Sequence, residues 1–105
     1  MKIKFIVSAA MALLGMVFSA QAQDKEALYV KSLAATCANC HGTNGKAVEG
    51  SSVTSLAGLD KNYIVAQMKA FQVGTRPATI MHQLSKGFSD AQIESLATYF
   101  AAQKK

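Results

Sequence analysis

Residues 36–42 read TCANCHG and gather both cysteines of the chain with one of its two histidines. Three chemistries use this arrangement. Two thiols separated by two residues can cycle as a redox dithiol or close a disulfide. Two thiols and an imidazole can supply part of a zinc site. The same pair can instead form thioethers to the vinyl groups of a haem, whose iron takes the imidazole that follows. Each chemistry demands a different compartment and a different partner residue.

A thioredoxin-like dithiol sits beside a βαβ unit, and the chain has no alternating strand-like pattern. A structural disulfide between Cys37 and Cys40 would close a short, strained loop and leave His41 without a function. Zinc needs four ligands. Cys37, Cys40, His41 and His82 are the available set, but neighbours Cys40 and His41 would have to bind one ion, and the spacing to His82 matches no finger or ribbon. Covalent haem uses every element: Cys37 and Cys40 as thioethers, and His41 as the proximal iron ligand delivered by the second of them.

The ends of the chain fit that reading. Lys2 and Lys4 precede the apolar run FIVSAAMALLGMVFSA, and Ala20 and Ala22 offer a small-residue cleavage pattern. Ser8 and Gly15 interrupt the run, which falls short of the roughly 18–20 residues of a spanning helix. Residues 1–22 are therefore expected to be a signal peptide cut after Ala22, exporting residues 23–105 to the periplasm as a single domain with no membrane span. Removing 22 of the 105 residues leaves 83, a size at which exported domains usually recruit a disulfide, a metal or a cofactor to complete the core. Nine Lys and Arg remain against six acids, a net of +3. No basic run exceeds Lys104-Lys105 and no nucleic-acid module is recognisable, so the charge suits an acidic partner protein instead.

Three segments have helical period. The first, 24–38, places Leu28, Leu33, Ala34 and Cys37 near one face. The second, 61–71, repeats Ile64, Gln67, Met68 and Phe71, with Asp60 as N-cap. The third, 90–103, repeats Ile93, Leu96, Ala97 and Phe100, opened by a capping box between Ser89 and Gln92. The connections between them are long, and loops of such length in a small domain usually wrap something. The fold expected is all-α, three main helices around one covalently bound haem c.

The second axial position decides much of the iron's behaviour. Past residue 22 the only methionines are Met68 and Met81. Met68 lies at the apolar spacing of the second helix and reads as core filler. Met81 lies in the irregular stretch behind Pro77, where helix packing gives it no task, and is the expected distal ligand. His82 is its competitor, and an open site is the third case.

With CANCHG in place, the stretches SLAGLDKNYIVAQMKAFQVGTRPATIM and GFSDAQIESLATYFAAQ resemble class I c-type cytochromes across nearly all of 25–103. The similarity is greatest to the cytochrome subunit of flavocytochrome c sulfide dehydrogenases, and similar domains occur in tandem in soluble two-haem cytochromes. The resemblance implies that the first and last helices cross beside the haem, with Leu33 and Ala34 against Leu96, Ala97 and Phe100. It implies thioethers at Cys37 and Cys40, axial ligands His41 and Met81, and an approach of Arg76 to a haem propionate; Tyr63 and Phe71 would pack at the ring edge. Such cytochromes usually carry a proline in the loop after the haem motif. Residues 42–58 contain none, so another residue must supply the carbonyl that receives the His41 N–H.

The function implied is one-electron transfer. No paired acids, Ser/His/Asp order or phosphate loop suggests substrate chemistry in the chain alone. It would serve as the electron-accepting subunit of an FAD-containing, sulfide-oxidising flavoprotein. The alternatives are a free shuttle between respiratory or photosynthetic complexes and a terminal oxidase, and a gas-binding haem sensor.

Overall fold

The computed structural model describes residues 2–105, with the backbone alone at residues 2, 9, 13–20 and 23. Among the described residues there is no strand. Five α-helices follow one another: α1 (Lys2–Ala35), α2 (Ala38–His41), α3 (Lys61–Val73), α4 (Met81–Leu84) and α5 (Asp90–Ala101). Single 3-10 turns at Thr43–Gly45 and Ser85–Gly87 join them.

Helix α1 runs without a break through the point after Ala22 where cleavage is expected. Part of the expected signal peptide, the side chains of 13–20, lies outside the described residues. No described helix is long and apolar enough to cross a membrane. The helix stops at Ala35, three residues before the end the sequence pattern suggests. The Thr36 hydroxyl donates back to Leu33 O at 2.7 Å, and Cys37 N–H bonds Ala34 O at 3.1 Å. This local competition for carbonyls tightens the last turn. Cys37 therefore sits at the N-cap of α2 and not inside the first helix.

Near its end α1 crosses α5. Ala34, Ile64, Leu96, Ala97 and Phe100 form the buried cluster, and Leu33 packs against it. Ala34 and Ala97 are 4% and 0% exposed; their small side chains let the two backbones approach closely. Leu28, placed by the sequence pattern on the same face, is instead 65% exposed. Six positions at about 100° each rotate it some 120° away from Ala34. One residue on, the Tyr29 hydroxyl accepts from Gln92 Nε2 at 2.9 Å and ties α1 to α5.

The ends of α3 and α5 are set locally. Asp60 Oδ1 accepts from Tyr63 N–H at 2.9 Å, and Gly74, in the left-handed region at φ 79°, ends α3. Ser89 Oγ accepts from Gln92 N–H at 3.2 Å while Ser89 N–H donates to Gln92 Oε1 at 2.9 Å, the reciprocal box expected. Two ion pairs, Lys61 with Glu94 at 2.9 Å and Lys69 with Asp90, link α3 to α5. The stretch read as irregular around Met81 contains α4, a one-turn helix whose first residue is Met81.

Candidate functional site

A cavity of about 590 Å³ opens between α2 on one side and α3 and α4 on the other. Cys37, Cys40, His41 and Met81 all line it, and Ile64, Leu96 and Phe100 contribute to both its wall and the core. Four of the five residues singled out from the sequence thus share one cavity, and the fifth, Arg76, lines it too.

His41 is the most constrained of them. Its Nδ1 lies 2.6 Å from Thr54 O. A carbonyl only accepts, so Nδ1 carries the proton, and in the neutral ring it is Nε2 that keeps the lone pair. Thr54 reaches this place because the chain doubles back after α2. Gly42, at φ 83°, makes the turn, and a Cβ there would fall 1.9 Å from Lys46 O. Gly45 O then receives Ser55 Oγ at 2.9 Å and Leu56 N–H at 2.7 Å, stapling the returning strand of loop. At Gly45 itself, φ is 77° and an added Cβ would fall 2.6 Å from Phe100 Cδ1. The carbonyl that the sequence left unassigned is that of Thr54.

Both cysteines are free thiols, Cys37 half-buried and Cys40 exposed. Burial pushes the Cys37 thiol above its ordinary range, and the neighbouring Thr36 hydroxyl opposes this. Among the described residues no three His, Cys, Asp or Glu side chains are grouped so that they could hold one metal ion.

Met81, Ile80 and Leu84 bring α4 to the cavity. His82 does not line it; its Nδ1 is buried without a hydrogen-bond partner, as is Ser85 Oγ. Met68 packs against the core as expected and lines the cavity as well. The Arg76 guanidinium stacks 4.7 Å from the centre of the Phe71 ring and donates to Gln67 Oε1. Tyr63 and Phe71 also line the cavity.

Gln67 and Thr54 line the cavity, and the sequence assigned neither a place in the site. Gln67 had a signal, a polar side chain within the apolar repeat of α3. Thr54 had none.

The residues present suit a covalently held haem. Two thiols and an imidazole with a free Nε2 stand at one cavity that also receives a thioether, and the remaining walls are largely aliphatic and aromatic.

The cytochrome c family model matches residues 27–104. The cytochrome subunit of sulfide dehydrogenase from Chlorobaculum tepidum is 34% identical over 73 residues, covering 70% of this chain and 64% of that protein. The thiosulfate dehydrogenase electron acceptor of Thiomonas intermedia is 37% identical over 71 residues, 68% of this chain and 33% of its own length. Cytochrome c-554(548) of Halomonas halodenitrificans is 32% identical over 72 residues, 66% of this chain and 86% of the relative. This chain thus spans about a third to two thirds of the first two relatives. The solved structure of cytochrome c4 from Acidithiobacillus ferrooxidans superposes with a TM-score of 0.59 at 35% identity, covering 63% of this chain and 37% of the other. The domain implies haem c as cofactor and the class I fold, and the chain belongs to the electron-transferring cytochrome c family.

Proposed function

We infer that residues 23–105 act in the periplasm as a one-electron carrier with a single haem c. Cys37 and Cys40 hold the group by thioethers, His41 is its proximal ligand and Met81 its distal ligand. The observation that carries this assignment is the His41 Nδ1 to Thr54 O hydrogen bond, which presents Nε2 to the cavity that Met81 also lines. When bound, such a haem would supply reversible one-electron transfer.

The chain's residues do the rest. The Thr54 carbonyl fixes the tautomer and orientation of the imidazole. Leu56, Leu59, Ile64 and Leu96 exclude water from the cavity. Arg76, stacked on Phe71 and braced by Gln67, offers a positive charge beside the cavity for a propionate.

The similarity to the Chlorobaculum cytochrome subunit supports a place as the electron-accepting subunit of an FAD-containing sulfide dehydrogenase. A second reading, the free shuttle, draws on the Halomonas relative, most of whose length this one domain accounts for. The test is the visible spectrum and size of the native protein purified gently from periplasm. A c-haem band accompanied by flavin absorbance, at a size well above one domain, supports the subunit. A c-haem band alone at monomer size supports the shuttle, and the absence of covalent haem overturns both.

A further inference from the structure

Helix α4 has no cap of its own to hold it. Its N-cap is Ile80, with no side-chain hydrogen bond, and it is one turn long. An isolated turn of this length does not persist in water, so its position comes from elsewhere in the molecule.

Gln72, near the end of α3, meets that need. Its Nε2 donates to Ser85 O at 2.8 Å and to Phe88 O at 2.9 Å. Both acceptors are carbonyls, so the amide must present its NH2 group there. Ser85 is fully buried at 0% exposure, and its own N–H donates to Met81 O. One residue therefore joins the two ends: Gln72 holds the Ser85 carbonyl, and the Ser85 N–H holds the Met81 carbonyl. On the other side of the loop, Thr75 and Arg76 N–H both bond Ala70 O, at 3.0 and 3.3 Å. The segment between α3 and α5 is thus fastened before Met81 by these backbone bonds and the Arg76 side chain, and after it by packing of Phe88 on the core and by the Gln72 amide, which supplies the side-chain hydrogen bonds there.

We propose that Gln72 is a positioning residue for the Met81 thioether, holding α4 through Ser85 and Phe88 so that the sulfur stays directed into the cavity. The proposal rests on Met81 as distal ligand. Gln72 does not line the cavity and acts through the backbone of 81–88.

The experiment uses the haem-loaded protein. Its readouts are the long-wavelength sulfur-to-ferric-iron charge-transfer band, the reduction potential, and carbon monoxide uptake by the ferrous form. Gln72→Met keeps length and bulk but removes both donors; Gln72→Glu keeps shape without donors; Gln72→Lys returns a donor of sufficient reach. Loss of about one hydrogen bond's worth of restraint is roughly tenfold in an equilibrium. Gln72→Met and Gln72→Glu are therefore expected to raise the carbon monoxide-accessible fraction about tenfold and weaken the charge-transfer band, with Gln72→Lys close to wild type. Equal behaviour of Gln72→Met and wild type overturns the proposal. So does an equal loss in Gln72→Lys, which would assign the effect to packing. If the wild type lacks the band, or Met81→Ala leaves it unchanged, the ligand assignment itself fails, an outcome distinct from the others.

Discussion

His41 and Thr54 are thirteen residues apart in sequence, yet Nδ1 of the first lies 2.6 Å from the carbonyl oxygen of the second. Residues 42–58 contain no proline to stiffen this region, and the loop relies on the bonds that Gly45 O receives from Ser55 and Leu56. Thr54→Gly keeps the carbonyl and frees the backbone. It is expected to destabilise the protein by about 0.5–1 kcal/mol. A looser hydrogen bond weakens electron donation from the imidazole to a bound iron and favours the ferrous state, so the reduction potential should rise. A redox titration with a thermal melt checks both.

Met81 and His82 are neighbours in sequence with opposite surroundings. Met81 lines the cavity and His82 does not. In the haem-loaded protein, Met81→Ala is expected to open the iron, with carbon monoxide binding the reduced form at once. His82→Ala should leave the oxidised and reduced spectra as they are. Loss of the native spectrum on changing His82 alone would reverse the ligand assignment.

Cys37 and Cys40 differ in burial, and the difference has a pH signature before any thioether forms. Burial raises the Cys37 pKa, so the folded chain favours the protonated thiol. Its contribution to stability is complete below the ordinary thiol pKa and falls away as pH rises through the raised value. In the haem-free chain, alkylation at neutral pH should therefore mark exposed Cys40 faster than Cys37. Labelling of Cys37 should climb only above the ordinary thiol range. Peptide mass mapping across a pH series reads this directly.

Gly45 leaves no room for a methyl group beside Phe100 and has a backbone at φ 77° that L-residues avoid. Gly45→Ala is expected to cost about 3 kcal/mol, from strain and overpacking together. Ser89→Ala, which removes only the α5 cap, should cost about 1 kcal/mol. Lys61→Ala breaks an exposed ion pair and should cost about 0.5 kcal/mol or less. Denaturant melts of the three variants test the order.

The parts of the molecule legible in the sequence are those governed by neighbours along the chain. The Asp60 cap, the Ser89 and Gln92 box and the apolar repeat of α5 are local, and each is where the spacing puts it. The CxxCH motif is equally local. Thr54 could not be singled out, because a backbone carbonyl has no residue type and its place depends on how the loop returns from Gly42. Helix α4 could not be recognised for a related reason: it has no side-chain N-cap, and Gln72 holds it from another helix. Leu28 shows the opposite error, since an apolar residue at approximate spacing was placed on a face that the 3.6-residue turn carries it away from.

Ile64, Leu96 and Phe100 belong at once to the core and to the cavity wall. Substitutions that repack the interior therefore also alter the dielectric around the redox centre. Evolution of such a chain cannot tune stability and electrochemistry separately at these positions. Independent drift is left to the outward surfaces of α3 and α5, where Lys61, Lys69, Asp90 and Glu94 can change with little effect on either.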